Sequence, residues 1–362
     1  MATIRLDHLA HAYRPNPAGP EDYALRRLTQ VWEDGVAYAL LGPSGCGKTT
    51  LLNIVSGLLT PSEGRVLFDD ADVTACVPEQ RNIAQVFQFP VVYDTMTVYD
   101  NLAFPLRNRH VPAAEVDRRV RQVAEVLDLT ADLKRRAERL TPDAKQKISM
   151  GRGLVRSDVA AILFDEPLTV IDPHAKWQLR RKLKEIHHEY RVTLIYVTHD
   201  QMEAMTFADR VAVMHDGQIV QLGTPQELFE TPRHTFVGYF IGSPGINLVP
   251  CEPGPADRAL VDGIAIPLPS GATGRLNPSG GPVELGIRPE FLQVVHPGTP
   301  GAVTAHLGPV EELGTCRLVT ARLGRHTLKA KVPPDHDIPA GPLGLRFPPQ
   351  WTKLYQDSVL VN

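Results

Sequence analysis

The run Gly42-Pro43-Ser44-Gly45-Cys46-Gly47-Lys48-Thr49-Thr50 follows an apolar stretch, Val36-Ala37-Tyr38-Ala39-Leu40-Leu41, and precedes a helix-forming one at 51–58. Few backbones accommodate so glycine-rich a turn between a buried strand and a helix. Glycines admit left-handed torsions and close approach of the chain to a ligand. A helix opening at Lys48 points unpaired N–H groups and the positive end of its dipole back into the turn. The spacing satisfies G-x-x-x-x-G-K-[ST], a loop that cradles a polyphosphate. Gly42, Ser44, Gly45, Cys46, Gly47 and Thr50 are the candidate lining of that cradle. Lys48 is placed to reach the β- and γ-phosphates, and the Thr49 hydroxyl to bind Mg²⁺. Cys46 fills a position the pattern leaves open; its thiol is a candidate for reactivity, not for catalysis.

A second signal lies downstream in Ala161-Ile162-Leu163-Phe164-Asp165-Glu166-Pro167. An apolar strand ending in two carboxylates delivers one to hold Mg²⁺ through water, Asp165, and one to polarise an attacking water, Glu166. Alone it would read as a solvated strand end; after a phosphate loop it reads as the other half of a hydrolytic site.

The chain, at 362 residues, is long enough for two domains, each with its own core. Val116, Val120, Val123 and Leu127 mark an amphipathic helix over 113–129, and the surroundings, about 95–157, read as a helical subdomain. Strand-like runs at 159–164, 192–197 and 211–214 alternate with helical patterns, which predicts a parallel sheet flanked by helices. Near Ile241-Gly242-Ser243-Pro244-Gly245 proline and glycine increase and helical periodicity ends. Residues 1–240 are therefore expected to form an α/β nucleotide-binding unit, and residues 241–362 a β-rich barrel domain with strands such as that at 317–323. No run approaches the ~20 apolar residues that cross a bilayer. The first seven residues do not read as a signal peptide. With 38 Lys+Arg against 41 Asp+Glu there is no nucleic-acid footprint. Four scattered cysteines suit a reducing compartment, so a cytosolic chain is expected, with any membrane role exercised through partners.

With these motifs in this order the chain resembles the ATP-binding-cassette ATPases, α/β P-loop NTPases with a helical subdomain. The resemblance implies ATP and Mg²⁺ as ligands and adds further candidates. Phe87-Gln88 resembles the glutamine loop, with Gln88 sensing Mg²⁺ and the γ-phosphate. Leu168-Thr169-Val170-Ile171-Asp172 resembles the loop crossing the dimer interface, with Asp172 as its acidic anchor. Val197-Thr198-His199-Asp200 resembles the switch segment, with His199 at the γ-phosphate, and Tyr13 sits where the family stacks an aromatic on adenine. The segments 201–210 and 216–225, with Leu285-Gly286-Ile287-Arg288-Pro289-Glu290, resemble the carbohydrate-importer branch of the maltose, glycerol-phosphate and glycerol type, whose tail is an OB-like (TOBE-type) accessory domain. That branch implies two permease subunits, an indirectly engaged periplasmic or extracellular binding protein, a second ATPase subunit, and a place at the cytoplasmic face of the membrane. Whether the tail regulates or only pads a dimer interface stays open. Residues 89–98 carry Phe89, Val91, Val92, Tyr93 and Met96 and are expected to receive a short permease helix.

One segment departs from the family. Where Leu-Ser-Gly-Gly-Gln should cap the partner's γ-phosphate, the chain reads Leu140-Thr141-Pro142-Asp143-Ala144. Thr141 keeps a hydroxyl, Pro142 lacks an N–H, and Asp143 adds a charge whose repulsion at ~5 Å and an effective dielectric of ~20 is about 3 kcal/mol. Thr141, Asp143 and Asp172 are the candidate dimer-interface residues. The departure favours pairing with a different ATPase that has an intact signature, although a homodimer is also compatible with the motifs. Two rival readings are an ATP-binding regulatory or scaffold subunit with little turnover, and a cassette protein of DNA repair or translation. The latter typically carries tandem cassettes or coiled-coil insertions, which are absent from this sequence.

Overall fold

The apolar run before the glycine-rich turn forms the strand Ala37–Leu41, buried at every residue. A strand covered on both faces needs continuous apolar sequence rather than alternation. In the computed structural model, which describes residues 2–361, this strand is central in a six-stranded sheet. Its order is Gln218–Gly223, Arg210–His215, Ala37–Leu41, Leu194–Thr198, Ile162–Asp165 and Ala84–Val86, parallel except for the antiparallel outer pair Gln218–Gly223 and Arg210–His215. A second, antiparallel sheet is built from Tyr23–Trp32, Ile4–Ala12, Glu63–Phe68 and Ala71–Asp72. The two sheets share one apolar core with the helix Lys48–Ser56, through Leu6, Leu25, Trp32, Leu40, Leu51, Val55 and Ile195.

Between the edge strand Ala84–Val86 and Ile162–Asp165 the chain forms the helices Val98–Arg107, Ala113–Val126 and Pro142–Leu154. The four residues that signalled the helix from sequence are buried together, Val116, Val120, Val123 and Leu127. The expected β-rich tail is present as three antiparallel sheets of four, three and five strands around a common core that includes Val249, Val261, Leu285, Val319 and Leu345. The two compact units are 1–225 and 226–362. The change in sequence texture near 240 thus lies inside the second unit, because the helices Pro225–Glu230 and Thr235–Phe240 are tied into it by Arg288. That guanidinium, 2% exposed, donates to the carbonyls of Phe229, Ile241 (2.5 Å), Gly238 (3.3 Å) and Leu228 (3.3 Å). Burial lowers its pKa only to about 10, so it stays cationic at neutral pH.

Candidate functional site

Three adjacent parallel strands stop at the same edge of the sheet. Leu41 lies opposite Thr198, and Asp165 opposite Val197. The residues that follow each strand therefore share one locality: the glycine-rich turn from Gly42, Glu166, and His199. This is the carboxyl edge, where ligands of open α/β sheets bind. His199 Nδ1 and Glu166 Oε2 are 3.1 Å apart. Glu166 has φ +45, a left-handed torsion costly for a residue with a Cβ, and its N–H donates to the Val197 carbonyl at 3.0 Å. Local strain held by a neighbouring strand fixes the direction of this carboxylate.

The glycine-rich turn is shaped as the motif requires. Gly47 caps the helix Lys48–Ser56 at φ +98, and a Cβ there would lie 2.5 Å from the Ala24 carbonyl. A Cβ on Gly42 would lie 2.4 Å from the Met214 carbonyl. Lys48, 6% exposed, donates to the carbonyls of Gly42 at 2.8 Å and Pro43 at 2.9 Å, so its cation sits inside the curl of the loop. Thr49 Oγ1 donates to Asp165 Oδ1 at 3.3 Å, which joins two of the three residues expected to hold Mg²⁺. Burial pushes the Asp165 carboxyl above its ordinary range, the Thr49 hydroxyl opposes this, and the Glu166 charge adds to it. A hydroxyl and one or two carboxylates beside a phosphate cradle suit Mg²⁺, which takes its remaining oxygens from phosphates and water. Ser44 and Gly45 stay exposed on the rim. Cys46 is 5% exposed and burial raises its thiol pKa, with Lys48 opposing, so the expected reactivity is not supported.

Tyr13 is 65% exposed, as a stacking platform must be, and is braced edge-on by His11 at 4.7 Å. Its hydroxyl is hydrogen-bonded to Thr50 Oγ1 at 3.0 Å, tying the ring to the helix that opens at Lys48. Tyr13→Ala is expected to weaken ATP binding by about 1–2 kcal/mol through lost stacking. Tyr13→Phe should cost about 1 kcal/mol or less, the worth of one half-exposed hydrogen bond. A fluorescent-nucleotide titration separates the two; equal losses would mean that the hydroxyl, not stacking, carries the effect.

Gln88 lies half-buried just beyond the edge strand Ala84–Val86. Its placement is fixed by a residue to which sequence reasoning assigned no role. The fully buried Gln146 donates through Nε2 to the carbonyls of Phe87 at 3.0 Å and Pro167 at 2.9 Å. One amide on the helix Pro142–Leu154 thus joins the segment carrying Gln88 to the turn after Glu166. Asp172 is exposed and accepts the Lys176 N–H at 2.9 Å where the helix Pro173–Tyr190 begins.

The departing segment starts the helix Pro142–Leu154. Thr141 caps it, accepting the Ala144 N–H at 3.3 Å. Asp143 turns toward its own helix, Oδ2 lying 3.4 Å from Lys147 Nζ. This i,i+4 pair sets a cation beside the carboxylate and offsets part of the repulsion expected from sequence. The donor deficit remains: Pro142 has no N–H, and that of Ala144 is directed at Thr141.

The other end of the sheet is different in kind. A cavity of about 310 Å³ lined by Val123, Val126, Ile162, Ile186 and Leu194 lies where those strands begin. Its Arg119 is already bonded to Glu115, and its Arg156 to Asn82 and the Ile83 carbonyl. No helix among the described residues is long and apolar enough to cross a membrane.

Comparison with known proteins agrees with this geometry. The ABC transporter family matches residues 25–169, and the MalK OB fold domain matches 242–292. The chain is 42% identical over 316 residues to the trehalose/maltose import ATP-binding protein MalK of Thermococcus litoralis, covering 83% of this chain and 84% of that protein. It is 37% identical over 356 residues to the sn-glycerol-3-phosphate import ATP-binding protein UgpC of Ruegeria pomeroyi, covering 98% and 97%. Among solved structures, cbiO1 of Clostridium perfringens, part of the ABC transporter complex cbiONQ, aligns with a TM-score of 0.56 at 26% identity, over 63% of this chain and 90% of that one.

Proposed function

The chain belongs to the ABC transporter family, among its import ATP-binding proteins, and from that premise we propose that it hydrolyses ATP at this strand edge to drive uptake of a carbohydrate or polyol, glycerol among the candidates. The observation that carries the proposal is the convergence of Lys48, Thr49, Asp165, Glu166 and His199 at the ends of three neighbouring parallel strands. Lys48 binds the β- and γ-phosphates, Tyr13 holds the adenine, Gln88 senses the γ-phosphate, and Glu166 accepts a proton from the attacking water. His199 fixes Glu166 and contacts the γ-phosphate. Thr49, Gln88 and Asp165 are the residues that would hold Mg²⁺, which supplies charge neutralisation on the phosphates.

The work is passed to a permease at the cytoplasmic face of the membrane. Phe89, Val91 and Tyr93 are 70%, 51% and 40% exposed, a cluster unusual for a protein without a partner on that face. Its backbone is nevertheless held: Arg152 donates to the Val91 carbonyl at 2.8 Å and lies 4.6 Å from the centre of the Tyr93 ring. Such an exposed but ordered patch suits a docked helix. In transporter purified from native membranes, a cysteine at position 93 should cross-link to the permease and not to the binding protein; no cross-link in the intact complex would refute the contact.

The second ATPase subunit is proposed to be a different chain, on the single ground of the donor-poor segment Thr141–Ala144. The site closed by this segment lacks at least one N–H, worth about 1–3 kcal/mol. The site built on this chain's own Lys48 and Glu166 is closed by the partner. Glu166→Gln here should therefore cost several-fold more transport-coupled hydrolysis than the matching change in the partner, and Pro142→Gly should narrow the gap. Equal losses, or copurification of one ATPase chain only, would establish symmetric pairing instead. The rival, a regulatory subunit with little turnover, draws on the same segment but leaves the paired Glu166 and His199 without a purpose.

A further inference from the structure

Behind the catalytic edge lies a buried carboxylate that the hydrolytic reading leaves without a role. Glu203, on the helix Gln201–Phe207, is 4% exposed. Its Oε2 accepts from the Thr198 hydroxyl at 2.8 Å and the Tyr196 hydroxyl at 3.0 Å, both on the strand that ends just before His199. Its Oε1 lies 3.8 Å from Lys176 Nζ, on the helix that begins directly after Asp172. Thr198 Oγ1 also accepts the Asp200 N–H at 3.0 Å, and Asp200 Oδ1 accepts the N–H groups of Met202 at 2.7 Å and Glu203 at 3.2 Å.

These bonds close a ring around one residue. His199 sits between Thr198, whose hydroxyl is engaged as donor and acceptor, and Asp200, whose amide and carboxylate are both engaged. The imidazole itself is 58% exposed and reaches Glu166. It is an exposed group on a fixed base. Burial, and after it the Glu203 charge, keeps the Tyr196 hydroxyl far above its usual pKa, so it stays a donor to the carboxylate. The two hydroxyls satisfy the buried carboxylate, while its pairing with the partly exposed Lys176, at 3.8 Å, adds little stability. What it supplies is a connection between the strand that leads to His199 and the helix that follows Asp172.

We infer that Glu203 is a positioning residue for His199, and that through Lys176 it couples the histidine's strand to the interface loop ending at Asp172. The inference rests on His199 being part of the hydrolytic site. A displacement of the segment at Asp172 would pass through the Lys176–Glu203 pair to Thr198, and so to the histidine.

The test uses the full-length chain in transporter purified from native membranes. Glu203→Gln keeps the side chain's size and one acceptor oxygen but removes the charge facing Lys176. It should lower kcat roughly 10-fold or more, the scale of a small misplacement in an active site, with KM for ATP within twofold and the thermal midpoint nearly unchanged. Lys176→Met should show the same split, and the double variant should be no worse than the poorer single one, as expected for groups acting as a unit. An unchanged kcat in Glu203→Gln would overturn the inference. So would additive losses, or a fall in kcat matched by a fall in thermal midpoint, which marks a purely structural role. His199→Ala separates the two levels: if it hydrolyses ATP at the unmodified rate, the hydrolytic reading of the site fails, whereas its inactivity beside a normal Glu203→Gln defeats only the positioning role.

Discussion

Replacing Glu166 by Gln is expected to leave ATP binding intact and to lower turnover by about 10²–10⁴-fold, the usual contribution of a positioned general base. The amide keeps the size of the side chain and can still hydrogen-bond His199, so the contact at 3.1 Å persists while the proton acceptor is lost. The left-handed torsion at this position is a backbone property and should survive the change. Bound ATP should then accumulate unhydrolysed, which a filter-binding assay and single-turnover kinetics read separately. Near-normal single-turnover hydrolysis would remove Glu166 from its role and leave Asp165 as the remaining carboxylate of the site.

Lys48→Ala should instead act on binding. The Nζ cation lies within the loop, bonded to the Gly42 and Pro43 carbonyls, and no other lysine occupies the glycine-rich run. Removing it deletes the charge that faces the β- and γ-phosphates and also the tie that holds two carbonyls of the loop inward. Together these amount to about 3 kcal/mol or more, a loss of roughly a hundredfold or greater in ATP affinity. Isothermal titration with ATP reads it directly. Affinity within threefold of the unmodified chain would show that the backbone cradle alone binds the phosphates.

The parts of this site that were legible in the sequence are those whose chemistry is local. A glycine-rich turn between an apolar strand and a helix, and a strand ending in Asp165-Glu166, each carry their geometry in a few consecutive residues. The helix over Val116, Val120 and Val123 was legible for the same reason, since its period is its burial pattern. Gln146 and Glu203 were not, because each matters for a residue that only the fold brings near: Phe87 and Pro167 for the first, Thr198 and Lys176 for the second. A polar residue on an otherwise buried helix face was the available signal. The pairing of Asp143 had a local signal in the spacing, as Lys147 stands four residues on, where helical neighbours pair. The helices at 225–240 follow the helical texture of the first unit, yet Arg288 ties them to the second, and no local pattern encodes that.

The central claim is that ATP hydrolysis at this chain's own strand edge powers import. It is tested most directly by reconstituting the transporter copurified with this chain into proteoliposomes with ATP on the cassette side. Uptake of the solute and release of phosphate are then measured together, with maltose, glycerol and sn-glycerol-3-phosphate as the solutes offered. The account predicts that uptake of one of them stimulates phosphate release, and that Glu166→Gln in this chain abolishes both. Uptake and hydrolysis continuing at the unmodified rate with Glu166→Gln in place would contradict it.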